Sequence, residues 1–353
     1  MRSSFDHGVT PTFDDSGFDE HAAPAVAHRH AQSQPRPHAQ PLPLPQPQPQ
    51  PLPLHIVTPL IDADLGGRTI KLKLDSLQPA RSFKLRGIGR LCQHHAGLGA
   101  KRLVCSSAGN AGYAVAWAGR ALAIPVTVVV PLCTPAFVRD RIAALGAEVH
   151  CVGDVWDQAN AAALKLARQP GSAFIPPFDH PLIWQGHSSL VTELAEQCEH
   201  VPDAIVLAVG GGGLLLGVLE GLRRVGWLDT RVYAVEPENA AALGPSLVRG
   251  EVMELSAPRS VATSLCVRKI APMTIPACRS RPVTTLTVSD RAATSACVRI
   301  AQDLGLVVEP ACGAALAPVY EGHRALADAK NIVAIVCGGM VVTLDQLAEW
   351  SRT

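Results

Sequence analysis

The chain has 353 residues, enough for one large or two ordinary domains, each able to bury a core. Lysine and arginine total 31 and aspartate and glutamate 30; this net charge of +1 gives no electrostatic case for nucleic acid or an anionic membrane as partner and suits a small neutral or zwitterionic ligand. No apolar run is long enough to span a membrane, no leader-like segment opens the chain, and the ten cysteines are scattered singly without zinc spacing, so the expectation is a soluble, cytoplasmic protein with buried free thiols.

Residues 1–54 hold eleven of the 29 prolines and the near-repeat Gln40-Pro-Leu-Pro-Leu-Pro-Gln-Pro-Gln-Pro-Gln50. Proline removes backbone donors and favours the extended polyproline conformation, which predicts a disordered tail. A ligand for an SH3-like partner is the functional alternative. From His55 onward, β-branched runs alternate with alanine-rich segments. Leu103–Cys105, Val126–Val130, Glu148–Val152, Ala204–Val209, Val232–Val235 and Ile332–Val336 read as buried strands. Ala111–Ala123, Pro135–Leu145, Trp156–Arg168, Ser188–Cys198 and Leu214–Val225 read as helices. Apolar strands taking turns with helices predict an α/β fold of mainly parallel twisted sheets flanked by helices, with ligands beyond the carboxyl ends of the strands.

Three loops carry chemistry. Lys84 sits between Phe83 and Leu85 in Gln78-Pro-Ala-Arg-Ser-Phe-Lys-Leu-Arg-Gly87. An amine in an apolar pocket deprotonates readily and can form a Schiff base, with an aromatic neighbour covering one face of a planar cofactor. The plain alternative is a surface lysine on the first turn of a helix. Ser106-Ser-Ala-Gly-Asn-Ala-Gly112 follows the strand at Leu103 and offers close amides, a hydroxyl and a carboxamide to a carboxylate or a ring oxygen. Helix capping by Ser106 or Ser107 is its alternative reading. Gly210-Gly-Gly-Gly213 lies between a strand and a helix, where consecutive amides can close around a phosphate. It matches neither the dinucleotide fingerprint nor the P-loop, and a tight turn without a ligand is the alternative.

Together, Ser82-Phe-Lys-Leu-Arg-Gly87, Ser106–Gly112, Leu182-Ile-Trp-Gln-Gly-His187, Gly210–Gly213, Glu309-Pro-Ala-Cys-Gly-Ala314 and Val336-Cys-Gly-Gly339 resemble the mammalian-type L-serine dehydratase and L-threonine deaminase group within the fold type II, tryptophan-synthase-β-like pyridoxal-phosphate enzymes. The resemblance runs from about residue 55 to residue 348. It implies a larger, cofactor-binding lobe over 55–76 and 179–353 and a smaller lobe over 77–178. It further implies β-elimination from L-serine, giving pyruvate and ammonia, with L-threonine giving 2-oxobutyrate, in a homodimer. Lys84 would be the catalytic residue. Phe83, Asn110, Gly210, Gly211, Gly212, Gly213, Leu214 and Cys337 would complete the pyridoxal-phosphate site, and Ser107, Ala108, Gly109 and Asn110 would bind the substrate. The resemblance also implies a monovalent cation, K+, held by Glu236 with backbone carbonyls of Gly210, Ala240, Leu265 and Val267. Met340 and Ser264 depart from the group's pattern. Threonine dehydratase, serine racemase and β-replacement chemistry stand as alternatives on the same fold, and a non-catalytic binding protein as one of another class.

Overall fold

The computed structural model describes residues 52–352, so the tail expected over 1–54 lies outside the described residues except for its last three. Of those, Leu52 accepts a hydrogen bond through its carbonyl from Gln93 Nε2, and Leu54 packs against the helix Lys84–Gly97 at Gly89.

Among the described residues, ten strands form two sheets. The first takes β1 (Leu60–Leu65), β2 (Arg68–Lys73), β7 (Ala204–Ala208), β8 (Arg231–Pro237), β9 (Val283–Val288) and β10 (Ile332–Ile335), in the order β1-β2-β10-β7-β8-β9. The second takes β3 (Arg102–Cys105), β4 (Val126–Val130), β5 (Glu148–Cys151) and β6 (Ser172–Phe174), in the order β5-β4-β3-β6. Only the β1–β2 hairpin is antiparallel; all other neighbours run parallel and need crossovers, which the helices supply. The central strands β4, β7 and β10 are buried along their whole length, as their unbroken apolar runs require when helices cover both faces. This is the expected α/β architecture, and all five expected helices are present, displaced by no more than two residues at either end.

Two expectations need correction. Glu148–Val152 is not a buried strand: β5 is the edge of the smaller sheet, Glu148 and His150 face solvent, and Val152 lies beyond it, also exposed. The cysteines are all free, but only six are buried. Cys133 is exposed and Cys151, Cys198 and Cys266 are half-buried, because they lie outside the central strands and helices.

Between the sheets, the chain is stitched together beside Lys84. Residues 81–83 run antiparallel to residues 337–339: Phe83 donates its amide to the Cys337 carbonyl at 2.9 Å, and Gly339 donates to Arg81 at 3.1 Å. Glu309 in turn donates its amide to the Gly338 carbonyl at 3.2 Å. Three segments far apart in sequence are thereby fixed at the carboxyl end of β10.

Candidate active site

The helix Lys84–Gly97 begins at Lys84 itself, so the amine projects from a first turn that the 337–339 segment holds in place. Lys84 Nζ donates to the Pro177 carbonyl at 2.7 Å and stands 5.1 Å from the centre of the Phe83 ring. Burial pushes its pKa down to about 8, opposed by the acidic groups of Cys105, Cys337 and Glu309. The surface-lysine alternative does not hold: although the residue is only partly buried, its amine is desolvated, donates to a backbone carbonyl and has no carboxylate bound to it.

β3 delivers the second loop. Ser107, Ala108 and Gly109 are half-exposed and open outward, whereas Asn110, the first residue of the helix Asn110–Leu122, is buried. No side chain caps that helix. Ser106 Oγ instead donates to Asn160 Oδ1 at 2.7 Å, and Ser107 Oγ accepts from the Gly109 amide at a long 3.4 Å. The capping alternative is therefore not what these serines do, and the helix's leading amides remain available to an anion.

β7 delivers the third. The helix Gly213–Arg224 is likewise uncapped, and Leu214, in its first turn, is buried. Gly212 has φ +89°, and a β-carbon there would meet Thr274 Cγ2 at 2.3 Å; one on Gly211 would stand 2.5 Å from the Phe178 ring. The turn thus presents backbone amides alone, and its walls leave no room for a side chain. Gly212→Ala is expected to weaken pyridoxal-phosphate binding by about tenfold or more, because a β-carbon there meets Thr274 Cγ2 and must displace the turn whose amides face the anion. Gly226→Ala is the control, because Gly226 has φ +78° with nothing within 4 Å of its missing β-carbon. Titration of both variants followed by absorbance checks this: equal affinities would show backbone strain rather than a ligand cradle.

Cys337, at the end of β10, is buried, and its hydrogen bond with the Cys312 thiol, together with burial, raises its pKa well above the usual thiol value. Beside it lies a carboxylate to which no role attached in the sequence. Glu309, 1 % exposed, accepts Asn110 Nδ2 and Ser264 Oγ on Oε1, each at 2.7 Å. Burial raises its pKa, since no cation is bonded to it. The clue available beforehand was its isolation, as the lone charge in the apolar run from Gly305 to Tyr320. Asn110 Oδ1 and Ser82 Oγ are buried without any hydrogen-bond partner. Orphaned atoms of this kind mark where a ligand's polar groups belong.

The residues expected to hold a cation are only partly brought together. A β-carbon on Gly210 would lie 3.1 Å from Leu265 Cα, so these two are adjacent. Glu236 Oε1 accepts the amides of Ala242 and Leu243 at 2.8 and 2.7 Å and Oε2 that of Gly244 at 3.0 Å, while the Leu265 carbonyl takes the Val267 amide at 2.9 Å. Ala240 is buried nearby in the chain, in a short 3-10 turn. Among the described residues no cluster of three or more His, Cys, Asp or Glu has metal-binding form.

An uncapped glycine turn, a second uncapped helix, a buried amine with lowered pKa and two orphaned polar atoms fit pyridoxal phosphate: amides for the phosphate, an amine for the aldehyde, and polar atoms for the ring's edge. The family described as pyridoxal-phosphate dependent enzymes matches residues 51–338. The L-serine dehydratase/L-threonine deaminase of Mus musculus is 45% identical over 307 residues, covering 83% of this chain and 94% of that protein. Its counterpart from Bos taurus is 46% identical over 312 residues, covering 85% and 95%. Among solved structures, a fungal L-serine ammonia-lyase from Rhizomucor miehei superposes with a TM-score of 0.80 at 34% identity, over 85% of this chain and 99% of that one.

Proposed function

The chain belongs to the family of pyridoxal-phosphate dependent enzymes, and from that membership we propose that it is an L-serine ammonia-lyase that also accepts L-threonine. The observation that carries the reading is the desolvated Lys84 amine, bonded to the Pro177 carbonyl and set beside the Phe83 ring at the start of a helix that the 337–339 segment holds in place. Pyridoxal phosphate, when bound, supplies an electron sink that makes the amino acid's α-proton removable. The amides of Gly210 to Gly213 and of Leu214 would hold the phosphate, Phe83 would lie against the ring, and Asn110 would meet its polar edge. Amides of the Ser107-Ala-Gly-Asn110 loop bind the substrate carboxylate and orient Cα toward Lys84, whose lowered pKa suits it to take the α-proton at neutral pH. The β-hydroxyl departs as water, and a water molecule returns in the hydrolysis that frees ammonia, so L-serine yields pyruvate and ammonia in balance. Cys337, kept as a neutral thiol, would be the residue beside the ring nitrogen and would leave it without a charged partner. Such a neutral partner would temper delocalisation and favour elimination over transamination.

Several finer assignments belong to the same reading: a cytoplasmic homodimer of two-lobed subunits split at 77–178, and K+ at Glu236 with the carbonyls of Gly210, Ala240, Leu265 and Val267. Glu236 already accepts three amides, two on Oε1 and one on Oε2, so a cation would take the remaining lone pair of Oε2.

The test is the absorbance of the purified, cofactor-loaded protein before and after L-serine, with product analysis. Pyruvate and ammonia in equal amounts are expected, and 2-oxobutyrate from L-threonine. D-serine, or a cysteine-type replacement product, as the main outcome would overturn the lyase assignment.

A further inference from the structure

Glu309 is a buried carboxylate whose partners are neutral. Its Oε1 takes two short hydrogen bonds, from Asn110 Nδ2 and Ser264 Oγ, both 2.7 Å, and Oε2 takes only a long one from the Val341 amide at 3.4 Å. A carboxylate in this position gains nothing from an ion pair, and burying it without one is costly, so hydrogen-bond placement is what the arrangement secures. Asn110 complements it. One amide hydrogen is given to Glu309, and Oδ1 is left without a partner although buried. An asparagine amide can make about four hydrogen bonds, so most of this one's capacity is kept free. The direction in which it is kept is also defined. A β-carbon on Gly338 would lie 3.5 Å from Asn110 Oδ1 and 2.9 Å from Ser82 Cβ, so the two orphaned groups border the same glycine, one residue beyond Cys337.

Without a fixed acceptor for Nδ2, the amide can turn over and exchange its oxygen and nitrogen. We propose that Glu309 is a positioning residue for the cofactor site: its Oε1 holds the Asn110 amide in one orientation, leaving the second Nδ2 hydrogen and Oδ1 presented to the polar edge of the ring. The inference rests on the reading of Asn110 as the residue that meets that ring. Glu309 itself touches Asn110 and Ser264, and it acts through the former.

Position and charge can be separated. Glu309→Gln keeps an oxygen where Oε1 stands and removes the charge; Glu309→Asp keeps the charge and withdraws the oxygen by one methylene. Occupancy of the full-length protein at graded pyridoxal-phosphate concentrations, read by absorbance, gives the affinity without reference to turnover. Glu309→Asp is expected to raise the dissociation constant by about tenfold, the scale of one charge-assisted hydrogen bond, and Glu309→Gln to stay within about threefold of the wild type. In the double variant Asn110→Ala with Glu309→Asp, affinity should fall no further than in Asn110→Ala alone, to within about twofold, because the second change acts through the first. The reverse ranking of Asp and Gln, or additive losses in the double variant, would overturn the inference. Both substitutions are small, and melting temperatures measured alongside identify any loss that reflects folding: affinity that simply tracks stability across the set also overturns it. A wild-type protein that takes up no pyridoxal phosphate would remove the functional reading and this inference with it, whereas a normal wild type with indifferent Glu309 variants removes this inference alone.

Discussion

Replacement of Lys84 by alanine is expected to lower L-serine turnover by at least about 10³-fold, because in the proposed mechanism one change removes both the covalent anchor and the base for the α-proton. Lys84→Arg should be as inactive. The guanidinium keeps its charge at any working pH and can neither attack an aldehyde nor accept a proton. Each variant should also lack the absorbance of covalently held cofactor. The amine's environment adds a pH dependence with a defined sign. Burial lowers the pKa from the ordinary 10.5 to about 8, so the neutral, nucleophilic form is already present at pH 7 in about one molecule in ten. Covalent uptake of pyridoxal phosphate by the cofactor-free protein should therefore climb about tenfold per pH unit below 8 and level off above it. Uptake still climbing steeply at pH 10 would mean that the amine is not desolvated, and turnover surviving in Lys84→Ala would remove the residue from the mechanism.

The loops that carry this chemistry were legible because they combine local rules. Small residues at the end of an apolar strand mark Gly210 to Gly213 and Ser107 to Asn110 as candidate anion sites, but each loop alone reads equally as a tight turn or a helix cap, and only their occurrence together with Lys84 selects the ligand reading. The same apolar runs made the central strands legible. The strands that went unread are those without such a run. β2, β1 and β9 alternate polar and apolar residues, as half-exposed strands do, and β6 is three residues long. β5 lies where its sequence predicts a strand, but at the sheet edge and half-exposed, as fits Glu148-Val-His-Cys151 being apolar at every second position only. Glu309 escaped for a different reason. Its meaning lies in contacts with Asn110, nearly two hundred positions away along the chain, and with Ser264, and no local spacing encodes them.

The same holds for the charges that fix the Lys84 helix, where the largest effect on stability is expected. Arg86, fully buried two residues beyond Lys84, donates Nε and Nη2 to the Asp75 carboxylate at 2.7 Å each and binds Glu193 through Nη1 and Nη2. Lys73 completes a neutral set of four charges, donating to Glu193 Oε2 at 2.5 Å, the Thr58 carbonyl at 2.7 Å and Gln197 Oε1 at 2.7 Å. β2, the 3-10 turn Asp75–Leu77, the Lys84 helix and the helix Ser189–Gln197 are thereby tied at one buried point. Arg86→Leu leaves the buried Asp75 carboxylate without a bonded cation and Glu193 with Lys73 alone, and should cost about 3–5 kcal/mol in denaturant unfolding, against about 0–1 kcal/mol for Arg224→Ala, which breaks the exposed pair with Glu220.

The pH dependence of that deficit is diagnostic. Burial alone would raise the Asp75 carboxyl, but the charge and hydrogen bonds of Arg86, with help from Thr58 and Lys73, hold it below the usual carboxylate range. In the wild type its contribution is therefore complete above about pH 4 and is lost as the pH falls through the depressed value. Without Arg86, burial is the larger influence, the carboxyl titrates above its unfolded value, and protonation relieves the variant as the pH falls from 7 toward 4. The gap between the two proteins should narrow on acidification. A deficit below about 1 kcal/mol, or one that widens at low pH, would show that Arg86 contributes packing rather than charge. If the gap narrows as expected, the placement of the Lys84 amine depends on a charge balance built from residues that never meet the substrate.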